Sequence, residues 1–104
     1  MIGLFSEVRA ARFLRLQGMK ILASRYRARG GEIDLIARDG ETLVFVEVKN
    51  SAALCGGAAR VNAQKRARIK SAAQAYMTAR GEYDARFDVL EESDAGFLLI
   101  RGAF

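Results

Sequence analysis

At 104 residues the chain is long enough for one domain with one modest core. Its 51% hydrophobic and 28% charged residues are ordinary for a soluble globular protein, and no apolar run nears the roughly 18 residues of a membrane-crossing helix. The absence of His removes the commonest general base, most zinc geometries and the Ser-His triad, so any hydrolysis must use carboxylates, lysine or a metal-bound water.

The net charge of +5 and a pI near 9.9 point to an anionic partner such as nucleic acid. The single Cys55 admits no internal disulfide and fits a reducing, cytoplasmic compartment; no signal-peptide pattern opens the chain. There is no internal repeat, no linker and no proline, so residues 1–104 read as one domain.

Residues 4–17 read as a helix. Leu4, Val8, Ala11 and Leu14 recur at helical spacing, Ala10 and Phe13 widen the stripe, and Gly18 stands where a left-handed cap would end it. Glu7 falls on that stripe, not on the basic face of Arg9, Arg12 and Arg15. A carboxylate so placed either pairs with a basic residue or helps to ligate something. Residues 19–26 read as a strand from Ile21, Leu22 and Tyr26. Arg25, Arg27 and Arg29 alternate along its end, as a solvated edge or as phosphate contacts.

Residues 31–50 organise the rest. Asp39-Gly40 signals a type I′ hairpin turn between two apolar runs. That turn pairs Arg38 with Glu41, Ile36 with Leu43, Asp34 with Phe45 and Glu32 with Glu47. Strand alternation then sets Ile33, Leu35, Ala37, Val44, Val46 and Val48 on one face. Glu32, Asp34, Ile36, Leu43, Phe45, Glu47 and Lys49 share the other. In this register Asp34 and Glu47 are diagonal neighbours, roughly 7–8 Å apart at the backbone and able to reach a common ion.

A solvated polar face is the plain reading of such alternation. Against it, both faces of the second strand are apolar from Leu43 to Val46, which predicts a central strand covered on both sides. Two or three carboxylates on a covered face repel one another and lose hydration unless a cation compensates. Lys49 supplies one positive charge, and a divalent ion would supply the rest.

Residues 51–59, with Gly56-Gly57, read as a loop. A second helix follows over 62–80, with Asn62 as its N-cap, Gly81 as its stop, and Ile69, Ala72, Ala73, Tyr76 and Met77 as its core stripe. Lys65, Arg66, Arg68 and Lys70 crowd its first two turns and oppose the helix dipole, an arrangement easier to understand if that face meets an anion. Lys65 falls one turn before Ile69 and so points at the carboxylates. Residues 86–90 and 96–100 read as two last strands joined through 91–95, giving the order α-β-β-β-α-β-β.

Asp34 followed by Glu47-Val48-Lys49 resembles the D…E-x-K signature of the PD-(D/E)XK nuclease superfamily, and the element order matches its core. The longer match resembles the YraN family: Glu7 with Ala10, Leu14 and Gly18, Gly31-Glu32-Ile33-Asp34-Leu35-Ile36-Ala37, Phe45-Val46-Glu47-Val48-Lys49, the Lys65, Ile69, Tyr76 helix, and Arg86-Phe87-Asp88-Val89. Asn50-Ser51 and Ser6 depart from that family's usual residues, as does the missing loop proline.

The resemblance implies an α/β fold: a restriction-endonuclease-like αβββαβ core, with a mixed central sheet flanked by helices and an extra C-terminal strand. It implies a metal-dependent endonuclease that hydrolyses phosphodiester bonds in DNA, branched DNA included. Asp34 and Glu47 would ligate Mg²⁺ or Mn²⁺ with the Val48 carbonyl as third ligand. Lys49 would orient or deprotonate the attacking water, with Glu7 and Lys65 at the edge of the site. Arg25, Arg27, Arg29, Arg66, Arg68 and Lys70 are the candidate nucleic-acid contacts. Cutting two strands would need a second copy, which leaves room for a homodimer. A nucleic-acid-binding module of nuclease ancestry that no longer cuts is the second reading, and a basic scaffold for a protein partner the third.

Overall fold

The computed structural model describes residues 4–28, 30–50 and 61–104. Its elements are α1 (Leu4–Leu16), β1 (Lys20–Ala28), β2 (Gly31–Asp39), β3 (Thr42–Asn50), α2 (Ala63–Arg80), β4 (Ala85–Ser93) and β5 (Gly96–Ile100), in the order read from the sequence. Arg29 and the loop expected over 51–59, with Cys55, lie outside the described residues.

The five strands form one sheet in the order β1-β2-β3-β4-β5. Neighbours run antiparallel except β3 and β4, which are parallel because α2 carries the chain back across the sheet between them. Ala10, Ala11 and Leu14 of α1 bury against Leu35, Ala37, Val44, Val46 and Val48. On the other face Ile69, Ala72, Ala73 and Tyr76 of α2 bury against Ile36, Leu43, Phe45 and Val89. The sheet is therefore mixed and covered by a helix on each face, with β3 buried on both sides as its two apolar faces require.

Both helix ends follow their sequence signals. Asn62 Oδ1 accepts the Lys65 N–H at 2.8 Å, and Gly81 closes α2 with φ 70°. In α1 the expected stripe needs one correction: Val8 is 59% exposed. With a mixed face at 8 and small residues at 10 and 11, the helix turns Ala10, Ala11 and Leu14 inward and leaves Phe5, Val8 and Leu16 outside.

The hairpin register is shifted by two residues from the expected one. Asp39 pairs with Thr42, Arg38 with Leu43 and Ile36 with Phe45, so the loop is Gly40-Glu41. Gly40 has φ 62° and sits first in the loop, as in a type II′ turn, whereas the expected I′ turn would have forced Asp39 to a positive φ as well. A shift of two keeps every side chain on its face. It does change the neighbours: continued past the last pair, Leu35–Val46, the register sets Asp34 opposite Glu47 instead of diagonal to it.

Alternation itself fails at one point. Leu35 and Ala37 bury with α1, but Ile33 buries with α2, beside Tyr26 and Tyr76. The switch falls at Asp34. Ser24 pairs with Leu35 and Tyr26 with Ile33, so the residue across from Asp34 is Arg25. Arg25 has φ 50° and is the sole non-glycine residue with positive φ among the described residues.

Candidate functional site

Asp34 and Glu47 come from neighbouring strands and are both buried, at 7% and 5% exposure. Each is placed by the break just described. The β2–β3 ladder ends at Leu35–Val46, and the next free amide, the Val48 N–H, donates to Asp34 Oδ2 at 2.8 Å. Glu47, one residue earlier on β3, lies close enough to Asp34 for the two acids to act on each other. Burial first, and then the charge of Glu47, pushes the Asp34 carboxyl up to about 7; the Val48 N–H and the Lys65 charge pull the other way.

Lys65 closes the group from α2, its ammonium ion-paired with Glu47 Oε2. The spacing one turn before Ile69 had pointed it there. A cavity of about 830 Å³ opens over the group, lined by Arg27, Gly31, Asp34, Glu47, Lys65 and Arg68 among others. Gly31 lets β2 approach α2: a Cβ there would lie 2.1 Å from the Arg68 carbonyl oxygen. The site thus has an acidic, buried floor and a basic rim.

The other sequence candidates stand as follows. Val48 lines the cavity beside Asp34 and Glu47. Lys49 is half-buried, on the face of β3 that carries Glu47, but does not line the cavity. Glu7 is buried on α1 and ion-paired with Arg25, so both are joined to each other and neither lines the cavity. Arg27 and Glu32 both line it and are bonded to each other at 3.0 Å, so Glu32 stands at the rim paired with a base. Among the described residues no group of three Asp, Glu, Cys or His side chains surrounds one point.

Along α2 the basic residues divide. Arg68 faces the cavity. Arg66 donates to the Val61 carbonyl at 2.6 Å and lies over the Phe104 ring, and Lys70 lies over the Phe87 ring. Arg29 is outside the described residues.

Two residues carry more than the sequence reading gave them. Gly31 carries the close approach of α2 to β2, which no spacing in the sequence signals. Glu91 had been placed in the β4–β5 connection, yet β4 runs on to Ser93 and Glu91 is fully buried within it, paired in register with Lys49. The period-two run of Phe87, Val89 and Glu91 is the signal that could have extended the strand.

The family model described as "Uncharacterised protein family UPF0102" matches residues 6–91, a span that contains Asp34, Glu47, Lys49 and Lys65. A UPF0102 protein of Dechloromonas aromatica (strain RCB) is 50% identical over 88 residues, covering 83% of this chain and 73% of its own. One of Hahella chejuensis (strain KCTC 2396) is 43% identical over 110 residues, covering 99% and 89%. One of Methylobacillus flagellatus (strain ATCC 51484 / DSM 6875 / VKM B-1610 / KT) is 39% identical over 108 residues, covering 99% and 96%. No helix among the described residues is long and apolar enough to cross a membrane.

Proposed function

The chain belongs to the UPF0102 family, and from its site we propose that it is a metal-dependent endonuclease of the PD-(D/E)XK kind, hydrolysing phosphodiester bonds in DNA. The observation that carries this reading is the buried Asp34–Glu47 pair, two acids from neighbouring strands brought so close that the charge of Glu47 helps to raise the Asp34 carboxyl. Lys65 supplies one positive charge to two converging buried acids, and oxygen donors so placed suit a hard cation.

Asp34 and Glu47 would hold Mg²⁺ or Mn²⁺, oxygen donors being the kind these ions prefer. A strand residue points its N–H and C=O toward the same neighbour. Since the Val48 N–H points at Asp34, its carbonyl would open toward the same gap and would supply a third oxygen. When bound, the ion would activate water and neutralise charge on the phosphate. Lys49, next along the face that carries Glu47 but outside the cavity lining, would have to turn inward to orient that water or take its proton. Arg27 and Arg68 on the rim would hold the phosphate backbone.

The test is cleavage of branched, duplex and single-stranded DNA by wild type and Asp34→Asn, with Mg²⁺ or Mn²⁺ and with chelator. Metal-dependent cutting by wild type alone is expected. Equal cutting by both proteins would mean a contaminant, and no cutting of any substrate would remove the activity. The second reading, a binding module that does not cut, is favoured by one observation: the basic rim stands whether or not the acids are competent. It predicts DNA binding that weakens steeply with salt and no cleavage.

A further inference from the structure

We propose that Lys65 is a built-in counter-cation: it occupies the Asp34–Glu47 site until a divalent ion displaces it, and the displaced ammonium then becomes a ligand for the substrate phosphate. This rests on the reading of the acid pair as a metal site.

The asymmetry of the ion pair is the starting point. The Glu47 side chain is 4% exposed and the Lys65 side chain 48%. The carboxylate is fixed in the sheet, and the ammonium, on a flexible four-carbon stem, is free to leave toward water. Its backbone is not free. The Lys65 N–H is bonded to Asn62 Oδ1, which pins the first turn of α2. Lys65 therefore pivots about a fixed point.

A divalent ion held by Glu47 would compete with the Lys65 ammonium for the same carboxylate. Two carboxylates match the charge of one divalent ion and leave none for an ammonium. Like charges at contact distance repel strongly in so buried a place. Lys65 must then swing into the cavity, where Arg27 and Arg68 already stand. Three cations around one opening favour a polyanion. Metal and phosphate thereby bind cooperatively, with Lys65 as the coupling element, and the coupling is reciprocal.

The experiment titrates Mn²⁺ into wild type, Lys65→Met and Lys65→Arg by calorimetry, then measures binding of an uncleavable phosphorothioate DNA strand with and without Mn²⁺. Lys65→Met should bind Mn²⁺ roughly tenfold more tightly, an ordinary size for linkage between two ligands. Lys65→Arg keeps the charge and should stay near wild type. The gain in DNA affinity on adding Mn²⁺ should be smaller in Lys65→Met than in wild type. Measurable Mn²⁺ binding that is equal or weaker in Lys65→Met overturns this proposal and leaves the metal site standing. Tighter Mn²⁺ binding with an undiminished gain for DNA overturns the phosphate role. No Mn²⁺ binding by any of the three overturns both this proposal and the metal reading.

Discussion

The Asp34 carboxylate accepts the Val48 backbone N–H at 2.8 Å, just past the Leu35–Val46 pair where the β2–β3 ladder stops. A side chain has taken the place of a strand partner. The two strands can part there without leaving the buried amide unsatisfied, and the gap between them is the floor of the cavity.

That position makes stability depend on pH. The Asp34 carboxyl rises from its ordinary 3.8 to about 7 on folding, chiefly through burial and then through Glu47. The folded chain holds this proton more tightly than the unfolded one. Its contribution to stability is therefore whole below about pH 4 and is lost as pH climbs through about 7. Asn at 34 imitates the protonated acid, its oxygen accepting from Val48 and its NH₂ donating to Glu47. Asp34→Asn should melt near wild type at about pH 4 and clearly above it at about pH 7.5. Thermal melts across that range check this; a wild type that stays the more stable at the upper end would show that the ionised acid is already compensated.

Gly31 predicts a steric effect. A methyl group there would meet the Arg68 carbonyl at 2.1 Å and the Ala72 Cβ at 3.3 Å. The first is backbone and cannot swing aside, so α2 must lift from β2. Gly31→Ala should lose roughly 1–3 kcal/mol, the usual range for overpacking. Urea denaturation measures it. A loss below about 0.5 kcal/mol would mean that α2 slides on the sheet at little cost.

Asp88 predicts a comparable loss at the far side of the sheet. It is fully buried, receives Arg86 Nε on both oxygens at 3.1 Å and accepts the Gly102 N–H at 2.9 Å. Asp88→Ala orphans the Gly102 N–H and takes one of two carboxylates from Arg86, which keeps Asp39 at 2.9 Å, and should cost roughly 1–3 kcal/mol. Asp88→Asn, which keeps an acceptor, should cost less. Both are read from denaturant midpoints, and similar losses in the two would show that shape, not charge, sets the role of Asp88.

Much of this was legible in the residues, and the exceptions have local causes. The element order, the α2 caps, the core stripe of α2 and the doubly covered β3 follow from periodicity and capping chemistry, which depend on few neighbours. The pairing of Lys65 with Glu47 followed from one helical turn of spacing. The hairpin register did not, because two turn types differ only in which loop position takes the glycine, and Gly40 serves either. The face switch at Asp34 was invisible, since it depends on the backbone of Arg25 on another strand. Glu7 and Arg25 were each read as candidates for the site, and nothing in their spacing shows that they bind each other.

The parallel contact of β3 with β4 carries a consequence for how the protein matures. It joins segments about forty residues apart, and closing such a long loop is the kind of step that sets folding speed. The β2–β3 hairpin is local and can form on its own timescale, bringing Asp34 beside Glu47 while both still face water. Lys65 and Arg68 arrive only when α2 docks to let β4 join. A nascent chain thus carries the acids with only Arg27 of the basic rim, and the full grip on an anion appears with the last piece of architecture to lock.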